Sequence, residues 1–186
     1  MAVTIKSPRE IELMRKAGEI LAKTHEELHA ALRPGMSTLD IDRLGEKIIR
    51  SHGCIPSFKN YNGYPASICV SVNDEVVHGI PNRHRILKEG DIVSLDAGVI
   101  YKGYHSDAAR TWAVGQVSPE AQKLMDVTKQ CFLRGSGLRR QAATWERSLR
   151  RSSLTPRALA TVWSGIWWAT ASAPISMRTR RCPILP

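Results

Sequence analysis

DIVSLDAGVIYKGYHSDAARTWAVG, residues 91–115, carries two runs rich in Val, Ile, Tyr, Ala and Thr on either side of Lys102-Gly103. Such runs around a short glycine-containing turn read as two antiparallel strands of a hairpin. If the turn holds two residues, position 107 faces position 98, and 98 shares a face with 96 because strand side chains alternate. Asp96 and Asp107 then become diagonal neighbours, within roughly 7–8 Å of one another. Two unpaired carboxylates about 5 Å apart, at an effective dielectric near 20, repel by roughly 3 kcal/mol, so the pair asks for a cation or a proton between them. A divalent ion meets that demand. Oxygen ligands alone would suit Mg or Ca, whereas an added imidazole would favour Mn, Fe, Co or Zn. Spacing equally allows both acids to be solvated polar residues on the wet face of a hairpin. His78 in VVHGIP reads as structural or catalytic, and Tyr61 and Tyr64 in YNGYP as turn aromatics or pocket walls.

Outward from the hairpin, SICVSVN (67–73) alternates and is rich in Val and Ile, and EVVHGIP (75–81) follows in the same β grammar. Two helices come first. Ser7-Pro8-Arg9-Glu10 supplies a capping serine, a proline at the first helical position and a glutamate three residues after the cap, and apolar residues recur at helical spacing until Arg33-Pro34-Gly35. Ser37 with Asp40 repeats the cap signature for a second helix ending near Ser51-His52-Gly53. Ser118-Pro119-Glu120 opens a third, which runs towards Cys131-Phe132-Leu133, and beyond it the periodicity disappears. Helices and strands in this order predict an α+β domain.

The chain of 186 residues has a formal net charge of +10, which invites a nucleic-acid reading until the charge is located. Residues 1–133 hold 17 Lys+Arg against 16 Asp+Glu, and residues 134–186 hold 10 against 1. All ten of the latter are arginines, the one acid is Glu146, and Trp145, Trp163, Trp167 and Trp168 lie among them. The sequence therefore divides near Leu133 into a balanced part, 1–133, and an Arg/Trp-rich tail, 134–186, expected to be irregular. Cys54, Cys69, Cys131 and Cys182 show no CxxC spacing and read as reduced thiols. The opening is polar and charged, and no apolar run approaches the roughly 20 residues of a membrane span, so a soluble cytoplasmic protein is expected.

The run NYNGYPASICVSVNDEVVHGIPNRHRILKEGDIVSLDAGVIYKGYHSDAARTWAVG, residues 60–115, closely resembles the type I methionine aminopeptidases of bacteria. IKSPREIELMRKAGEILA and LRPGMSTLDID extend the likeness, so that it covers about residues 3–133. The resemblance implies the pita-bread fold, two pseudo-symmetric halves around a site for two divalent ions (Co, Mn, Fe or Zn), of which this chain carries the N-terminal half. It implies that Asp96 binds one ion with both oxygens, that Asp107 bridges both ions, and that His78 contacts the substrate. Tyr61, Tyr64 and Cys69 fall in segments that wall the pocket for the methionine side chain. The implied reaction is removal of the N-terminal methionine from nascent polypeptides by a water activated between the ions, in a monomeric cytoplasmic enzyme that meets its substrates at the ribosome. The general base is a carboxylate outside this half, so no residue of the chain is assigned that role.

The tail departs from the family. A histidine from a GHGIG segment and two later glutamates complete the family's ligands, and residues 134–186 contain no histidine and only Glu146. The chain as written lacks three metal ligands and is expected to be inactive. The tail reads as an off-frame translation. Taken from the third base of each codon, Trp167-Trp168-Ala169 must spell Val-Gly, and ATASAPISMRTRRCP (169–183) can continue as His-Gly-Ile-Gly-Thr-His-Leu-His-Glu-Asp-Pro-Gln-Val-Pro. Two other readings compete: a genuine extension that binds ribosomal RNA through arginine and tryptophan, or a catalytically dead relative acting as a binding module. Loss of the second half would expose a sheet edge and an apolar face, so aggregation is expected. Resequencing the gene across the break near Leu133 is predicted to recover one continuous family-like frame; an unaltered frame there would overturn the off-frame reading.

Overall fold

The computed structural model describes residues 5–137. Helix α1 spans Pro8–Ala31 and α2 spans Thr38–Ser51; strands β1 (Ile55–Pro56), β2 (Ile68–Val72), β3 (Ile92–Tyr101) and β4 (Tyr104–Ala113) follow, and α3 covers Pro119–Gly137. Both leading helices start on a reciprocal capping box. The Ser7 hydroxyl accepts from the Glu10 amide while the Glu10 carboxylate accepts from the Ser7 amide, and Ser37 and Asp40 do the same. Such a cap is worth about 1 kcal/mol.

The sheet is antiparallel and organised around β3. One edge of β3 pairs with β4 along its full length, from Ile92↔Ala113 to Tyr101↔Tyr104. The other edge takes β2 (Ile68↔Ala97 to Val72↔Val93) and then β1 (Ile55↔Ile100, Pro56↔Val99). Lys102 and Gly103 have φ of 47° and 84°; two consecutive left-handed residues make the type I′ turn whose twist matches that of the flanking strands.

Alternation divides the sheet into two unlike faces. Val93, Leu95, Ala97 and Val99 of β3 and Ile68, Val70 and Val72 of β2 point to one side, where they meet Ile20, Leu21 and Leu28 of α1 and Ile41, Ile48 and Ile49 of α2 in one buried cluster. At about 1.5–3 kcal/mol per fully buried aliphatic side chain, this layer dominates the stability of the fold. The opposite face carries Cys69, Asp96 and Asp107. The segment Ser57-Phe58 crosses it at Gly98: the Ser57 amide donates to the Gly98 carbonyl (2.9 Å), and a Cβ at 98 would stand 2.7 Å from the Ser57 Cβ. Only glycine fits at that crossing.

Two expectations change. EVVHGIP forms no strand. His78 adopts φ 58°, a left-handed conformation that breaks an extended run; the segment instead lies alongside β2 through Val70 N–H to Gly79 O (2.9 Å) and Gly79 N–H to the Ser71 hydroxyl (3.1 Å). Helix α3 also continues to Gly137, so the first residues past the compositional break at Leu133 are helical. The remainder of the tail, 138–186, lies outside the described residues.

Between helix layer and sheet sits a buried acid. Asp42 of α2 accepts the backbone N–H groups of Ser67 (2.8 Å) and Ile68 (2.9 Å), where β2 begins. Burial raises the pKa of its carboxyl and these two donors oppose the rise. One turn later, Glu46 accepts from Lys59 Nζ (2.6 Å), Arg50 Nε (2.8 Å) and the Ser67 hydroxyl (3.0 Å), contacts that lower its pKa to about 2. Asp42→Ala leaves two buried N–H groups without an acceptor and is expected to cost about 2–4 kcal/mol in urea unfolding of the chain, with Asp42→Asn, which keeps one acceptor oxygen, costing clearly less.

Candidate functional site

The β3–β4 register places Gly98 opposite Asp107 and Ala109 opposite Asp96. On the other side of β3, Cys69 stands opposite Asp96. The diagonal pair expected from alternation therefore forms, and the Asp96 and Asp107 carboxyls stand close enough to shift each other's ionisation. Both groups are largely withdrawn from water. Burial, followed by the Asp107 charge, raises the pKa of Asp96; burial also raises that of Asp107, against the opposing effects of Asp96 and of His78. Two carboxyls in so dry a setting resist ionising together, and Asp96 is held towards its protonated form. Even so, Oδ1 of each aspartate is buried with no hydrogen-bond partner. Buried carboxylate oxygens ordinarily find donors, and a pair of them side by side is the donor set that a hard divalent cation takes.

Around this pair stand three of the residues singled out from the sequence. The Cys69 thiol is buried and its pKa is pushed up to about 12 by desolvation, so it stays neutral. Tyr64 donates to the carbonyls of Ile68 (3.3 Å) and Gly79 (3.1 Å), and has its hydroxyl pKa raised by burial. His78 lies near enough to Asp107 to favour the ionised carboxylate. Tyr61 opens the 3-10 turn Tyr61–Gly63, about one-third exposed.

Other residues hold this arrangement and carried no signal in the sequence. Asp42 fixes the start of β2 and hence the position of Cys69; Gly98 lets Ser57-Phe58 cross beside Asp107; the hydroxyls of Ser94 and Thr111 bond at 2.8 Å across the hairpin next to Asp96 and Ala109. Behind the hairpin, buried His25 bonds the Ala108 carbonyl through Nε2 (2.9 Å), and burial lowers its pKa. Each depends on a partner far away in the chain, so local pattern could not reveal it.

Among the described residues, no group of three or more His, Cys, Asp or Glu could hold a metal ion. Four to six ligands are usual for divalent ions in proteins. The aspartate pair thus fits one side of a cation site and leaves the rest of the shell to other groups.

The model of metallopeptidase family M24 matches residues 12–148. The chain belongs to this family. Its match extends past Leu133 into the Arg/Trp-rich region. A methionine aminopeptidase of Clostridium acetobutylicum is 54% identical over 133 residues, covering 72% of this chain and 53% of the relative; methionine aminopeptidase 1 of Bacillus subtilis is 50% identical over the same share. A crystal structure of the Thermotoga maritima methionine aminopeptidase superposes with a TM-score of 0.70 at 40% identity, covering 72% of this chain and 54% of that one. The fold is the pita-bread architecture of these enzymes, and the chain spans about half the length of the curated relatives it matches.

The raised Asp96 pKa has a definite sign in stability. The folded state holds a proton that the unfolded carboxyl releases near pH 4, so stability is greatest below that pH and falls as pH rises through the folded pKa. In the presence of EDTA, Asp96→Asn is expected to leave the melting temperature nearly unchanged at pH 4.5 and to raise it at pH 8, by on the order of 1–3 kcal/mol of stability.

Proposed function

We propose that the described part of this chain is the aspartate-bearing portion of a methionine aminopeptidase, which hydrolyses the N-terminal methionine from nascent polypeptides in the cytoplasm as they leave the ribosome. The observation that carries the reading is the half-buried pair Asp96 and Asp107, each with a buried oxygen lacking any partner. The identity to methionine aminopeptidases across the same hairpin supports it. In this reading Asp96 and Asp107 would hold divalent ions of the Co, Mn, Fe or Zn type. When bound, such ions supply Lewis acidity to the scissile carbonyl and acidify a water.

The protein's own groups prepare the ground for that chemistry. Asp96 and Asp107 contribute negative charge in a dry setting, where it attracts cations far more strongly than at the surface. Tyr64 ties the carbonyls of Ile68 and Gly79 together, and so holds the backbones of β2 and the His78 segment at a fixed separation. The neutral thiol of Cys69 gives a polarisable, weakly polar wall suited to a thioether side chain, with Tyr61 and Tyr64 as the remaining walls and His78 meeting the substrate.

Residues 1–133 carry the strong likeness to methionine aminopeptidases, and 134–186 stand where the segment bringing the remaining ligands and the base would lie. A monomer of the restored length is the active species. Fusing residues 1–133 to the part of the clostridial relative that this chain does not match should give cleavage of Met-Ala peptides with added Co or Mn. In that fusion Asp96→Ala or Asp107→Ala should lower kcat/KM by roughly 10³-fold, the equivalent of several kcal/mol of lost stabilisation. The 186-residue chain should give no turnover; cleavage by it would overturn the assignment of missing ligands, and an inert fusion with normal metal binding would overturn the assigned reaction.

A further inference from the structure

His78 stands beside Asp107 at φ 58°. Among the described residues the other non-glycine positions in the left-handed region are three asparagines and Lys102 of the hairpin turn; His78 lies in irregular chain. A side chain persists in that region where its surroundings over-determine it, and such positions concentrate where a group is aimed at a ligand. What over-determines His78 is the next residue. The Gly79 N–H donates to the Ser71 hydroxyl (3.1 Å), while the Gly79 carbonyl accepts from the Val70 N–H (2.9 Å) and the Tyr64 hydroxyl (3.1 Å). A Cβ at 79 would stand 2.2 Å from the Val70 carbonyl oxygen, so the approach to β2 admits glycine alone. On either side the chain is loosely covered, with Val76 64%, Val77 47% and Ile80 61% exposed. Gly79 is therefore the anchor of the segment.

The three bonds do different things. The Gly79 carbonyl belongs to the peptide unit after Gly79, whereas its N–H belongs to the unit that joins His78 to Gly79. The bond to Ser71 thus fixes the plane of the His78–Gly79 unit, and with it ψ of His78. Ser71 is buried, and alternation along β2 puts it on the aspartate face, two residues from Cys69. Alanine would fill that place without burying a hydroxyl, so the oxygen is there for its hydrogen bond. The register sets Ser71 opposite Ser94 of β3, the strand that carries Asp96 two residues further on. The imidazole and the aspartates are in this way referred to one rigid sheet. We propose that Ser71 is a positioning residue, which holds His78 in its left-handed conformation beside Asp107 through the Gly79 N–H, so that a substrate meets an imidazole already oriented. The inference rests on the functional reading above for what His78 meets; the clamp itself is a property of this chain.

Two measurements read the clamp and its consequence separately. In the 186-residue chain, Ser71→Ala should speed hydrogen exchange of the Gly79 amide by about tenfold or more while the amides of Ile92–Tyr101 keep their protection, and Ser71→Thr, which retains a hydroxyl, should leave the Gly79 amide slow. In the fusion with the clostridial segment, Ser71→Ala should lower kcat/KM for Met-Ala peptides by roughly tenfold, and Ser71→Thr should restore it. Mn affinity measured by electron paramagnetic resonance should stay the same in both variants, because the aspartates are untouched. His78→Ala should cost at least as much as Ser71→Ala, and the two together no more than His78→Ala alone, since Ser71 acts only through that imidazole. Ser71→Thr and Ser71→Val, alike in shape and different in the hydroxyl, carry the same comparison where Ser71→Ala loosens the whole sheet. Unchanged Gly79 exchange, losses that multiply in the double variant, or a freed Gly79 amide with an unaltered rate each overturn the proposal. An inert fusion in which Ser71→Ala still frees the Gly79 amide upholds the clamp and overturns the assigned reaction.

Discussion

Everything in this molecule depends on the register between β3 and β4. A slip of one residue would leave the hydrogen-bonded ladder intact and yet turn every side chain of one strand to the opposite face. Asp107 would then enter the aliphatic layer beside Val99 and Ala97, and Ala108 would take its place next to Asp96. The cost of an unpaired carboxylate in that layer would be several kcal/mol. What prevents the slip is local: Lys102 and Gly103, both at positive φ, permit a two-residue turn and so set Tyr101 opposite Tyr104. From that pairing the count runs down the hairpin to Gly98↔Asp107 and Asp96↔Ala109. The chemistry of the site is therefore written into a turn some distance from it.

Register fixes two strands; the third is placed by a different force. β2 must bring Cys69 level with Asp96, and its start is held by Asp42, which reaches from α2 to the amides of Ser67 and Ile68. Glu46, Lys59 and Ser67 add a second tie to the same corner. Helix α2 in turn is located by its apolar face, Ile41, Ile48 and Ile49, in the shared core. Hydrophobic burial thus sets the distance between layers, and a buried, hydrogen-bonded carboxylate sets the offset along the strand. Neither alone would align Tyr64, Cys69 and Asp96.

This division explains which features could be seen in the sequence. The caps of α1 and α2 and the I′ turn are local rules acting over two to five residues, the diagonal aspartates follow from that turn by alternation, and each appears where the residues put it. EVVHGIP misled because its Val-Val pair imitates a strand; His78 at φ 58° breaks the run, and the backbone there bonds to β2 through single contacts. Asp42 looked like one polar position of an amphipathic helix, and only the folded chain shows it buried against Ser67. Gly98 was equally silent, because its role is to admit Ser57-Phe58 from some forty residues earlier in the chain. Pattern revealed the two aspartates; tertiary contact revealed what aims them.

The two faces of the sheet also carry opposite energetic signs. The helix side gathers nearly all the buried aliphatic surface, whereas the other side holds two desolvated acids whose burial and missing partners work against folding. A binding site is commonly bought at the expense of stability, because the groups that await a ligand are unsatisfied until it arrives. Here the two tasks are separated across one strand, with Leu95 and Asp96 as neighbours in sequence and opposites in environment. The arrangement lets the core tolerate an incomplete partner face. It also means that any cation entering between Asp96 and Asp107 stabilises the fold as it binds, since only the folded chain brings the two carboxyls together.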